Sequence, residues 1–167
     1  SVEDFLSLKF TSNDLPAYIL RTAGFQINKN QEKYNYRIFL QNGKFITENK
    51  KSKINLSKTI NFELNGGLKS IFTFNGKDFG IISNKKLGCF YISLVELLND
   101  KILLESECLP FAEDPDFNGS GGAYIFDKEN LYLSFGTPSW MDGEKINMLA
   151  QDDNSILGKI LKISKKD

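Results

Sequence analysis

The chain of 167 residues contains no histidine. That absence excludes Ser-His-Asp triads, Cys-His dyads and histidine zinc sites, and it leaves no imidazole to titrate near neutral pH. Arginine is nearly absent as well, with Arg21 and Arg37 the only two; lysine carries the rest of a positive charge of 21 that 21 acidic residues balance. With no net field to draw it to polyanions, the chain is expected to bind neither nucleic acid nor an anionic membrane surface. No apolar run approaches the roughly 20 residues of a membrane-spanning helix, so no membrane span is expected and the chain reads as soluble. Cysteine is scarce too: Cys89 and Cys108 are better read as two buried free thiols than as a disulfide, and without histidine they make a poor metal site.

What is present is strand-like. Short apolar or aromatic segments run over Tyr34 to Leu40, Lys44 to Thr47, Thr59 to Leu64, Lys69 to Phe74, Phe79 to Ser83, Cys89 to Leu97, Lys101 to Glu107, Ala123 to Phe126, Tyr132 to Phe135 and Gly158 to Ile163. Turn signals separate them at Gln41-Asn42-Gly43, Asn75-Gly76, Asn84-Lys85 and Asn99-Asp100. That spacing predicts meandering antiparallel sheet. Helical alternatives exist at Val2 to Phe10 and Ser93 to Leu98, where apolar residues also recur at helical intervals; for the second, the strong Asn99-Asp100 turn favours a strand. Lys50-Lys51-Ser52-Lys53 reads as a solvated turn, Gln151 to Asn154 as a solvated loop, and Lys165-Lys166-Asp167 as a frayed terminus.

One loop carries a second pattern. Asp114-Pro115-Asp116-Phe117-Asn118-Gly119-Ser120 reproduces the first half of a calcium loop, with oxygen side chains at alternate positions and a glycine at the sharp turn. Asp114, Asp116 and Asn118 are therefore candidate metal ligands, although Ile125 stands where the closing bidentate Glu belongs. An ordinary surface turn has the same composition.

The last third of the chain holds the most specific motifs. Asn118 to Phe126 leads through Leu131-Tyr132 to Gly136, then to Ala150-Gln151 and Leu157-Gly158-Lys159-Ile160-Leu161-Lys162-Ile163; upstream stand Asn65 to Phe74 and Leu109-Pro110-Phe111. Over roughly residues 60 to 167 this succession resembles the glucose/sorbosone dehydrogenase family of quinoprotein β-propellers. The resemblance implies a propeller fold, and by implication pyrroloquinoline quinone and calcium as cofactors and a sugar as substrate. The chain departs from the pattern at Asn118 for His, Gly122 for Arg and Thr137 for Asp. Sugar oxidation by hydride transfer to a quinone needs a base beside the hydroxyl, and an amide does not titrate.

The expectation is thus a single all-β, propeller-like domain over residues 1 to 167. A blade needs on the order of 40 residues, which makes an incomplete propeller of about three to four blades, part of a larger protein or assembly; a compact β-sandwich is the alternative. The expected role is binding of a sugar-like ligand or a protein partner on a face formed by Asn118, Thr137, Trp140 and Asp142, with the dehydrogenase chemistry lost. Two alternatives stand beside it: an active quinone-dependent sugar dehydrogenase whose other site residues lie outside this chain, and a structural half-propeller closed by a partner or second copy. The chain begins with Ser1 rather than Met, which reads as processing, trimming or a place inside something longer, and the family resemblance implies a periplasmic or extracellular location.

Overall fold

In the computed structural model, residues 22–30, 33–47, 50–53, 66–110, 117–138 and 148–164 are described. Every regular element among them is a β-strand apart from a single turn at Met148-Leu149, so the all-β class is borne out. The strands are β1 (Thr22–Asn30), β2 (Lys33–Leu40), β3 (Lys44–Thr47), β4 (Lys50–Lys53), β5 (Leu68–Phe74), β6 (Lys77–Lys86), β7 (Cys89–Glu96), β8 (Lys101–Glu105), β9 (Gly121–Phe126), β10 (Asn130–Phe135) and β11 (Lys159–Ser164). They form antiparallel meanders without crossovers: β1 to β4, β5 to β8, and β9 to β11. The leading strands of successive sheets approach one another, β1 against β5 and β5 against β9.

The central sheet is buried on both faces. Phe72, Phe79, Ile81, Phe90 and Ile92 pack against Leu131, Leu133 and Phe135 of β10. Its other face sends Leu68, Ile71, Ile82 and Val95 toward Phe39 of β2. Strands covered on both sides are apolar at consecutive positions, which is why Ile81-Ile82 and Ile71-Phe72 occur as pairs. The β9–β11 sheet instead alternates, with Leu131, Leu133 and Phe135 buried and Tyr132 and Ser134 half-exposed between them. On its outer side Ile125 is 68% and Ile160 76% exposed.

Hairpin turns confirm most of the punctuation. Asn75-Gly76 has φ of 49° and 74°, as a two-residue turn between twisted strands demands, and Asp100 sits at φ 50° in the β7–β8 turn. The Gln41-Asn42-Gly43 turn closes through Gly43 N–H to the Leu40 carbonyl at 2.9 Å.

Three expectations are corrected. Asn84-Lys85 is no turn: Asn84 is buried inside β6 and donates from its side-chain amide to Ser93 Oγ at 2.9 Å, and the hairpin falls at Leu87-Gly88, with φ of 51° and 78°. Lys50 to Lys53 is not a turn but strand β4, which among the described residues pairs with β3 alone. Ser93 to Glu96 belongs to strand β7, as the strand reading of Cys89 to Leu97 expected. Cys89 and Cys108 form a disulfide across a Cα separation of 5.2 Å, and Cys108 is exposed rather than buried. β1, polar over most of its length, was no expected strand. The expectations for Val2 to Phe10, Thr59 to Leu64 and Lys165 to Asp167 lie outside the described residues.

Candidate functional site

Phe117 anchors the loop on which the sequence motifs converge. Its ring is fully buried and meets Phe90 edge-on, with ring centroids 5.6 Å apart. The segment before it is tied to β7 by the Cys89–Cys108 bond and by the paired backbones of Phe90 and Leu109. After Phe117 the chain turns: Ser120 donates to the Phe117 carbonyl through its hydroxyl at 2.7 Å and its N–H at 3.3 Å. Asn118 and Gly119 stand exposed at the tip, with Gly119 at φ 78°, a conformation glycine adopts without strain.

A second loop, Gly136 to Pro138 after β10, closes on this turn. A Cβ on Gly119 would lie 2.7 Å from the Thr137 carbonyl oxygen, and a Cβ on Gly136 would overlap the Gly119 carbonyl oxygen. Only two glycines allow so close a backbone approach. It brings Asn118 and Thr137, expected to share a face, into facing loops, Asn118 exposed and Thr137 half-buried. Trp140 and Asp142 lie outside the described residues, as do Asp114 and Asp116. Among the described residues no group of three His, Cys, Asp or Glu side chains could hold a metal ion.

The sequence reading missed the contribution of β5. Lys69 sends its ammonium to the Phe117 carbonyl at 3.2 Å, which places a positive charge beneath the Asn118 turn. A bulge sets it there, because the β5–β6 register shifts between Leu68 and Ser70. As a result Leu68 and Ile71, three positions apart, enter the same core.

The quinone implied by the family resemblance carries three carboxylates. Among the described residues of this face Lys69 is one cation, Asn118 offers no base, and Arg37 is paired with Asp78 at 3.1 Å beyond the far end of β5. The described face does not fit that cofactor, and no chemical step is assigned through it.

Other features fall away from the face. A cavity of about 440 Å³ between β2 and the β5–β6 and β7–β8 turns has Phe39, Phe45 and Ile71 among its walls. The ion pairs Arg37–Asp78 and Lys77–Glu96, at 3.1 and 3.2 Å, also line it. In the β9–β10 turn, the Asn130 side-chain amide, the backbone N–H groups of Glu129 and Asn130, and the Tyr132 hydroxyl all donate to Asp127 and hold its carboxyl well below the usual carboxylate range. Tyr132 is pushed up in turn by that carboxylate, and the Lys86 ammonium is raised by its bond to Glu105. Gln151 to Asn154 is exposed, as expected.

Comparison of the chain with family models, with curated proteins and with solved structures gave no match. No helix among the described residues is long and apolar enough to cross a membrane.

Proposed function

We propose that this chain is a propeller-like β-domain that binds a sugar-like ligand where the Asn118-Gly119 turn meets Thr137, without dehydrogenase chemistry of its own. The observation that carries the reading is the backbone closure of the two loops through Gly119 and Gly136, which presents Asn118 on a fixed, exposed surface. An exposed amide with a neighbouring hydroxyl residue offers both donors and acceptors to sugar hydroxyls. The propeller architecture is supported by consecutive antiparallel meanders whose leading strands adjoin. Loss of chemistry is supported by a chain without histidine. The disulfide supports an oxidising compartment, periplasmic or extracellular.

The test is isothermal titration of the protein with neutral aldoses, run beside a dye-reduction assay supplied with pyrroloquinoline quinone and calcium. Binding without turnover is the expected result. Turnover would overturn the silent reading, and absence of binding to any aldose would overturn the saccharide reading.

A structural role is the second reading, favoured by Ile125 and Ile160 on the outer side of the β9–β11 sheet. Such a face suits packing of a further sheet from a partner or second copy. Light scattering across concentration tests the second copy: a monomer at every concentration removes it.

A further inference from the structure

The cavity of about 440 Å³ between β2 and the turns of the central sheet falls within the range of roughly 300–1,000 Å³ typical of small-molecule sites. Strand register builds its first wall. Arg37 and Phe39, two positions apart on β2, lie on one side of that strand, and Phe45 stands opposite Phe39 in the β2–β3 pairing. The two rings have centroids 5.1 Å apart, and the Arg37 guanidinium lies over Phe39 at 5.4 Å. Ile71 and Leu97, both buried, complete an apolar floor. Leu98 in the β7–β8 turn also lines the cavity yet is 89% exposed, an apolar side chain that the fold leaves in water.

The charged part of the lining is unevenly satisfied. Asp78 accepts from Arg37 Nη2 on both oxygens and from the Thr73 hydroxyl, and buried Glu96 accepts from Lys77 Nζ and the Asn99 amide. The cations keep donors in reserve: among the described residues Arg37 Nη1 and Nε meet no acceptor, and Lys77 Nζ, on a largely exposed side chain, meets Glu96 alone. Unused donors on two cations, beside carboxylates that already accept, call for an acceptor with negative charge. We propose that this cavity binds a small aromatic monocarboxylate, an aryl-alkanoic acid whose ring lies against Phe39 and Phe45 and whose carboxylate meets the unused donors of Arg37, with Lys77 beside them. Phenylalanine rings favour an aromatic body through offset and edge-on contacts. The lining holds two cations and two carboxylates, so a single negative charge is admitted where a phosphate dianion would lack a counterpart. A sugar acid has the carboxylate without the apolar body, so this site is separate from the Asn118–Thr137 face and does not rest on the saccharide reading.

The experiment is an amide chemical-shift titration of the full chain with phenylacetate, phenylacetamide, benzylamine and glucuronate, repeated on Arg37→Gln, Lys77→Gln and Leu98→Ser. Phenylacetate is expected to give saturable shifts at Arg37, Phe39, Phe45 and Leu98 and to bind about tenfold more tightly than the amide, as one charged hydrogen bond provides. Arg37→Gln should remove most of that preference, and Leu98→Ser should weaken acid and amide alike. Equal affinity for acid and amide, or a preference that survives both Arg37→Gln and Lys77→Gln, would overturn the carboxylate assignment. Tighter binding of benzylamine would move recognition to Asp78 and Glu96 and overturn it as well. Glucuronate binding here as tightly as phenylacetate would remove the apolar floor from the account, and silence toward all four would overturn the site. Should Arg37→Gln unfold for want of its pair with Asp78, the other two variants decide: unchanged phenylacetate affinity in both Lys77→Gln and Leu98→Ser overturns the proposal.

Discussion

Replacing Gly136 by alanine tests whether the two site loops are knitted as described. The added methyl would overlap the Gly119 carbonyl oxygen and lie 2.9 Å from its carbon and 3.1 Å from the Gly121 nitrogen. These obstacles are backbone atoms, with no flexible side-chain end that could swing away. The Asn118 turn is also held by Phe117 in the core and by two bonds from Ser120, so the loops must part rather than adjust. The expected cost is about 3 kcal/mol, the upper end of the usual penalty for overpacking. In a domain of this size that lowers the melting temperature by about 10 °C. Gly88→Ala is the matched control: at φ 78° it strains the backbone, but nothing lies within 4 Å of the new methyl, so only about 1–2 kcal/mol is expected. Thermal unfolding followed by circular dichroism compares the two. If Gly136→Ala unfolds at the same temperature as Gly88→Ala or above it, the loops do not touch and the site as described does not exist.

Further expectations follow from the same contacts. Ser70→Ala removes a buried hydroxyl without a partner and should leave stability unchanged or raise it by about 1 kcal/mol in chemical denaturation; a loss of 2 kcal/mol or more would mean that the hydroxyl is bonded after all. Reducing Cys89–Cys108, whose positions are 19 apart in sequence, should cost about 3 kcal/mol by the loop-entropy estimate, read from denaturant midpoints with and without reductant; identical midpoints would contradict it. Asp127 titrates lower folded than unfolded, so its contribution is present above the unfolded pKa, near the ordinary carboxylate value, and is lost as pH falls through the folded one. Asp127→Asn should therefore narrow the stability difference between neutral and acid pH, and an unchanged pH profile would count against the turn geometry.

The strand pattern was legible because it follows from burial. Residues covered on one face alternate, as in β10, and residues covered on both occur as apolar pairs, as at Ile81-Ile82. β4 was not legible: Lys50-Lys51-Ser52-Lys53 carries no apolar residue from which a pattern could be read, and its strand state depends on pairing to β3. Asn84 misled for a related reason. Asparagine usually marks a turn, but here its side-chain nitrogen donates to Ser93 across the hairpin, a bond that local sequence does not encode. The disulfide needed the distance between β7 and the segment after β8, and spacing alone could not supply it.

The site was legible in part. Glycines at 119, 121 and 136 and the motif around Asn118 pointed to the two loops that meet. Lys69 stayed hidden because a bulge is a property of strand register, not of composition. Four of the expected site residues, Asp114, Asp116, Trp140 and Asp142, lie outside the described residues.

The central claim is that the surface joining the Asn118 turn to Thr137 takes a saccharide. The most direct measurement is a two-dimensional amide spectrum of the labelled protein titrated with a sugar panel that includes glucose and glucuronate. The account predicts saturable shifts at Asn118, Gly119 and Thr137, with Arg37 of β2 and Phe45 of β3 unmoved. Shifts confined to Arg37 and Phe45, or none at millimolar sugar, would contradict it.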